Sequence, residues 1–184
     1  HFRPSGTTAI AKGHILPSAV FVGLFEASDS RQNDYVGLDA EANPFYFSVK
    51  YEVSETGADD GDTDHIVIRY ADVLLKLAEA LNESGGANPE QYLNMVRNRA
   101  GLSNTTATSQ NDLRDAIEME RRLELIGEGH RWFDLKRTGR AVETMNAWFA
   151  ANDKNVTISS NHLILPIPQS QLDTDPALEQ NPGY

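Results

Sequence analysis

The sequence predicts a mainly helical fold: helical hairpins with long ordered loops, followed by an extended C-terminal tail. Three observations carry that expectation. From Arg69 onward, apolar residues recur at three- and four-residue spacing. Glycine, proline and capping residues punctuate these stretches. The last segment, "LILPIPQSQLDTDPALEQNPGY", is interrupted by Pro166, Pro168, Pro176 and Pro182, so it cannot be one long helix.

The elements follow in order. Residues 1–65 read as a loop-rich segment with one short helix, packed on a helical region spanning 66–184, in a single domain overall. In the first segment Ser18 can cap a helix carrying Val20, Phe21, Leu24 and Phe25, which "RQND" then closes. Tyr46, Ser48 and Lys50 alternate with Phe47, Val49 and Tyr51, the pattern of a short strand. The acidic stretch "ETGADDGDTD" reads as an exposed loop.

Beyond it, Tyr70, Val73, Leu74, Leu77 and Leu81 fall on one helical stripe, with Asp72, Lys76 and Glu79 opposite; Ala71, Leu75 and Ala78 widen the apolar face. "ESGGANP" ends that helix and starts the next, with Asn88 as cap and Pro89 at the first helical position. The second helix turns Leu93, Val96 and Ala100 inward and stops at Gly101, so the two form an antiparallel hairpin. Ser109 and Asp112 resemble a capping box opening a third helix. Its stripe of Leu113, Ala116, Ile117 and Leu123 also contains Glu120 and Glu124. Helical character resumes through Trp132 and Phe133, two expected core anchors, and again from Arg140 to Ala150.

Composition narrows the function. The net charge of -11, from 16 basic and 27 acidic residues, argues against a nucleic-acid partner, because phosphate contacts need a basic surface. No apolar run is long enough to span a bilayer. The chain lacks cysteine, which removes disulfides, thiolate nucleophiles and cysteine-based zinc sites. It begins His1-Phe2-Arg3, the expected look of a processed protein or a piece of a longer one. No cofactor motif is present.

The carboxylates on the buried stripe are the most informative anomaly. Glu120 and Glu124, four residues apart, could form a glycosidase-like pair, but such pairs normally come from separate elements facing a cleft. The commoner solution for buried carboxylates is ion pairing. Arg69, Arg97, Arg99, Arg121, Arg122 and Arg131 are the available cations, and Glu128, His130 and Asp134 extend the expected network. His130 and Asp134 could orient one another as a base and its partner, yet no serine elbow or second histidine at ligand spacing accompanies them.

No metal site is expected. Asp60, Asp62 and Asp64 imitate an EF-hand opening, but His65 stands where glycine is required and Ala71 where glutamate is. That leaves calcium in the Asp59 to Asp64 loop open on carboxylate density alone. Tyr35, Phe45, Tyr46 and Phe47 are the candidate ligand-binding residues, since aromatic rings in loop-rich chain suit stacking on a sugar or another flat ligand.

The stretches "IRYADVLLKLAEALNE" (68–83), "LNMVRNRAGL" (93–102), "LRDAIEMERRLELIGEGHRWFDLKRTG" (113–139) and "LPIPQSQLDTDPALEQNPGY" (165–184) resemble, in order and spacing, the C-terminal part of the SusD/RagB family. "FEASDSR" (25–31) and "VKYEV" (49–53) look like further landmarks. The resemblance implies tetratricopeptide-like helical hairpins and a non-enzymatic role. The expected protein is a surface lipoprotein of the outer membrane, anchored through an N-terminal region not in this chain, that captures oligosaccharide or peptide for a SusC-like TonB-dependent transporter. The other readings open to the residues are a helical protein- or peptide-binding scaffold and an enzyme built on Glu120 and Glu124 or on His130 and Asp134.

Overall fold

A computed structural model describes residues 16–40, 45–50, 55–57, 60–61 and 66–184. It is mostly helical, and the chain divides into two compact units, His1–His130 and Arg131–Tyr184. The sequence-based boundary stands elsewhere, at 65/66.

The first unit opens with α1 (Ala19–Val22), capped by the Ser18 hydroxyl, which accepts from the Phe21 amide. The "RQND" stretch, expected to close a helix, instead forms α2 (Arg31–Tyr35) and leads directly into β1 (Val36–Asp39). Strand β1 pairs antiparallel with β2 (Phe45–Ser48) in the register Val36 to Ser48, Gly37 to Phe47 and Leu38 to Tyr46. A second short antiparallel pair, β3 (Glu55–Gly57) with β4 (Asp60–Gly61), forms within the stretch expected to be loop. Glycines within that acidic stretch suit tight chain reversal.

Helices α3 (Tyr70–Ser84), α4 (Pro89–Arg99) and α5 (Gln110–Glu124) then pack together. Gly85, at a φ of 69°, closes α3 in the left-handed conformation that glycine adopts most cheaply. Ser109 caps α5 by accepting from the Asp112 amide, and its own hydroxyl donates to the Asp112 carboxylate at 2.7 Å. At the far end of the bundle Asn82 and Gln110 clasp reciprocally: each side-chain amide donates to the other's backbone carbonyl, at 2.9 and 2.7 Å. An aliphatic core results, made of Leu74, Leu75, Ala78, Leu93, Val96, Leu113 and Ile117.

The buried face of α3 is rotated from the one its apolar pattern predicts. Leu74, Leu75, Ala78 and Asp72 are inside, while Tyr70 is 68% exposed and Val73 and Leu77 also face out. Apolar residues surround this helix, so periodicity alone admits more than one stripe. A charge fixes the choice: Asp72 meets the buried Arg121 of α5 at 2.9 Å and Lys76 at 2.6 Å.

The second unit contains α6 (Arg131–Arg137), α7 (Ala141–Ala151) and α8 (Gln169–Thr174), with a 3-10 turn at Ser160–Leu163. Asn146 ties α7 to the following chain by bonding both backbone groups of Ile158. The tail then folds on itself, with Gln180 bonded to both backbone groups of Ile167 and the Tyr184 hydroxyl donating to the Ile164 carbonyl. Trp132 and Phe133 are not core anchors: Phe133 is 66% exposed, and Asp134 and Leu135 take the buried positions of α6. An aromatic pair followed by a charge gave no unique helical face in so short a helix.

Candidate functional site

Two features of the first unit draw attention: the ionic cluster at the C-terminal end of α5, and the aromatic hairpin β1–β2 joined to it. Arg31 sits at the centre of the cluster and is 0% exposed. Its Nε and Nη2 donate to Asp29 at 2.9 and 2.7 Å, a bidentate fork, while Nη1 donates to Glu124 Oε2 at 2.9 Å. Glu120 Oε1 lies 2.6 Å from the same Nη1 without an aligned hydrogen bond. Asp29 is held in turn by its own loop, accepting the Arg31 amide.

Around this centre, Arg69 donates to Glu124 at 2.5 Å and to both oxygens of Glu128 at 2.9 Å. Arg99 reaches both oxygens of Glu124, at 2.8 and 2.6 Å. Arg97 bridges Glu120 at 3.3 Å and Glu26 at 2.8 Å. Lys50 donates to Glu128 and, at 2.6 Å, to the Glu124 carbonyl.

The two glutamates of the stripe therefore differ. For Glu124, burial favours the neutral acid, but hydrogen bonds from Arg69 and Arg31 and the nearby Arg99 outweigh it and hold the carboxyl below the usual range. For Glu120, burial dominates; Arg31 and Arg97 oppose it incompletely and Glu124 repels, so its carboxyl is held above that range. Burial pulls Arg31 down, and Asp29, Glu120 and Glu124 more than reverse it. Burial, helped by the charge of Arg69, pushes Lys50 down to about 8.

The other residues singled out from the sequence take various places. Arg121 pairs with Asp72 across α3 and α5, and Arg122 lies over the Phe21 ring at 5.8 Å. His130, half-buried, ends the first unit. Arg131 opens α6 of the second unit, where Asp134 accepts from Arg137 at 2.9 Å. Glu120 and Glu124 do not open to solvent: Glu120 is 2% exposed and Glu124 0%, both enclosed by guanidinium groups. Among the described residues no group of three acidic or histidine side chains could hold a metal ion; Asp59, Asp62, Asp64 and His65 lie outside them.

Arg31, Asp29 and Lys50 were missing from the sequence-based network. Arg31 meets Glu124 across 93 positions of chain, so no local spacing connects them. The only signal was a need for cations that periodicity could not place.

The aromatic residues at the end of α2 and in the hairpin are likewise sorted by the structure. Tyr35 is half-buried: its hydroxyl donates to Glu124 at 3.4 Å and accepts from Arg99 at 3.2 Å, and Lys50 Nζ lies 4.2 Å from its ring centre. Tyr46 packs against the cluster of Val22, Phe25, Val36 and Leu123. Phe47 is 8% exposed, and Phe45, half-buried, stands 6.2 Å from it between ring centres.

The sequence pattern that defines the SusD family matches residues 25–184, the stretch that contains both the ionic cluster and the hairpin. The chain belongs to the SusD family. Among curated SusD relatives, SusD-like protein P25 of Formosa agariphila is 34% identical over 99% of this chain and 37% of its own length. SusD-like protein P38 of the same organism is 34% identical over 73% of this chain and 27% of its own.

Among solved structures, surface glycan-binding protein A from Bacteroides uniformis superposes with a TM-score of 0.77 at 26% identity, over 93% of this chain and 41% of that one. Surface glycan-binding protein A from Bacteroides thetaiotaomicron in complex with laminarihexaose gives 0.76 at 27%, over 97% and 44%. The chain thus spans less than half the length of these SusD relatives.

Proposed function

We propose that the protein is a non-enzymatic glycan-binding surface component of a nutrient-uptake system, capturing oligosaccharide and passing it to a SusC-like TonB-dependent transporter in the outer membrane. The observation that carries the reading is its SusD-family membership, together with a superposable relative solved with laminarihexaose. The hairpin supplies chemistry of the right kind. Half-buried Phe45 offers a ring of the kind that packs against the C–H face of a sugar, and Asp39 sits directly opposite it in the register. The acidic balance of the chain is compatible with a neutral saccharide.

A network of buried, mutually neutralised charges supports a structural role for Glu120 and Glu124, since catalytic carboxylates need access to substrate. Calorimetry of the intact protein against neutral oligosaccharides, laminarihexaose first, tests the reading. Saturable binding that Phe45→Ala weakens is the expected result, and absence of binding across the panel would overturn it.

One observation favours the scaffold alternative: the outward apolar stripe of Tyr70, Val73 and Leu77 on α3 fits a helical partner or peptide. Capture of peptides in place of saccharides would establish that reading.

A further inference from the structure

Strand pairing sets the two faces of the β1–β2 hairpin. Val36 and Leu38 share a face with Tyr46 and Ser48, and Val36 and Tyr46 pack into the cluster around Leu123. Gly37 and Asp39 share the other with Phe45 and Phe47. On this second face Phe47 lies across Gly37: a Cβ added there would stand 2.3 Å from its Cζ and 2.6 Å from Cε2. No side chain fits under the ring. The backbone of Gly37 is not in the left-handed region, so glycine is required here for space and not for conformation. A ring covering a bare cross-strand glycine recovers the apolar contact the glycine lacks.

Phe45 is packed in turn on Phe47, tilted by 54°. Phe45 thus neighbours a ring that itself occupies the space left by the absence of a side chain at 37. At its base the hairpin is tied to the ionic cluster. The Val49 amide donates to the Tyr35 carbonyl at 3.0 Å, and Tyr35 and Lys50 are both bonded to Glu124.

We infer that Gly37 and Phe47 are positioning residues for Phe45, making position 37 a determinant of which ligand the aromatic face accepts. The inference rests on the glycan-binding reading for the identity of the ligand, and on geometry alone for the chain of contacts. A residue larger than glycine at 37 lifts Phe47, and Phe45 moves with it.

The test labels the phenylalanines of the whole chain with fluorine and assigns their resonances by single Phe→Leu replacements. Gly37→Ala is expected to move the Phe45 and Phe47 resonances and to leave Phe133 and Phe149, in the other unit, in place. In a Phe47→Leu background, Gly37→Ala should add no further movement at Phe45, because the group that transmits it is gone. A Phe45 resonance that stays put when Phe47 is displaced overturns the inference, as does an equal Gly37→Ala effect with and without the Phe47 ring. Should Gly37→Ala fail to fold, Phe47→Leu alone reads the coupling by the same resonance.

Calorimetry with laminarihexaose as probe separates positioning from function. Gly37→Ala and Phe45→Ala are each expected to weaken binding about tenfold, the scale of one ring contact. Unchanged affinity with a displaced Phe45 overturns its role as the contact. A wild-type protein that ignores laminarihexaose counts against the glucan reading, while the fluorine spectrum still decides the positioning.

Discussion

The first half of α5 buries Leu113 and Ile117 among the aliphatic side chains of α3 and α4, whereas its second half buries Glu120 and Glu124 among four arginines from three other segments. One helix serves two interiors. In the aliphatic half each contact is weak and interchangeable, and local helix patterns bring the partners together. In the ionic half each contact is directional, and its partners arrive from residues as far away as Asp29 and Arg31. Removing a group therefore has different consequences: a methyl group leaves a void, a carboxylate leaves an uncompensated charge.

The largest expected effect follows from that difference. Glu124→Ala takes one of three carboxylates from the buried Arg31 and a ligand from both Arg69 and Arg99, leaving buried positive charge undercompensated at a cost of about 3–5 kcal/mol, read as a fall in denaturation midpoint. An unchanged midpoint would mean that the cluster contributes nothing. Leu75→Ala, at a fully buried site of α3 in the aliphatic core, should cost about 2–4 kcal/mol in the same assay. A cost near zero would show that this core collapses around voids.

Protonation sharpens the contrast within the ionic half. Glu124, Glu128 and Asp72 are held below the ordinary carboxylate value. Their contribution is present above that value and is lost as pH falls through their folded values. Glu120 runs the other way: its folded value is raised by burial, so stability gains from it as pH falls through that value toward 4.5, its ordinary one. Glu120→Gln is therefore expected to cost less at pH 7 than Glu124→Gln, in parallel urea titrations. Equal costs would break the distinction between the two glutamates.

A smaller effect lies on the alkaline side. Lys50 falls from an ordinary 10.5 to about 8 on folding, so between those values the unfolded chain holds more protons. Stability gains from Lys50 as pH rises through that window, and Lys50→Met should lose this slope. The smallest effect belongs to Arg114 and Glu83, paired at 2.6 Å on the outside of α5 and α3. Arg114→Ala should leave the melting temperature nearly unmoved, since exposed pairs are screened.

The same contrast explains what could be read from sequence. Leu93, Val96 and Ala100 inside, Ser109 as cap and the glycine stops all follow from local spacing, and they occupy those places. Glu120 and Glu124 were visible as charges on an apolar stripe. Their principal partner was not, because nothing local distinguishes Arg31 from other arginines. The rotated face of α3 has the same origin: Asp72 turns inward for Arg121, a choice made by a partner 49 positions away. At Gly37 the missing information was of another kind, the space a ring takes from the facing strand.

Because α5 joins these two interiors in a single rod, its ends answer temperature differently. Apolar burial weakens on cooling, so the end at Leu113 loses support in the cold. Removing charges from water becomes less costly on heating, so the end at Glu124 retains more of its support when hot. The helix is thus expected to fray from opposite ends at opposite extremes, with amide exchange rising first near Leu113 on cooling and the turn around Glu124 protected longest on heating.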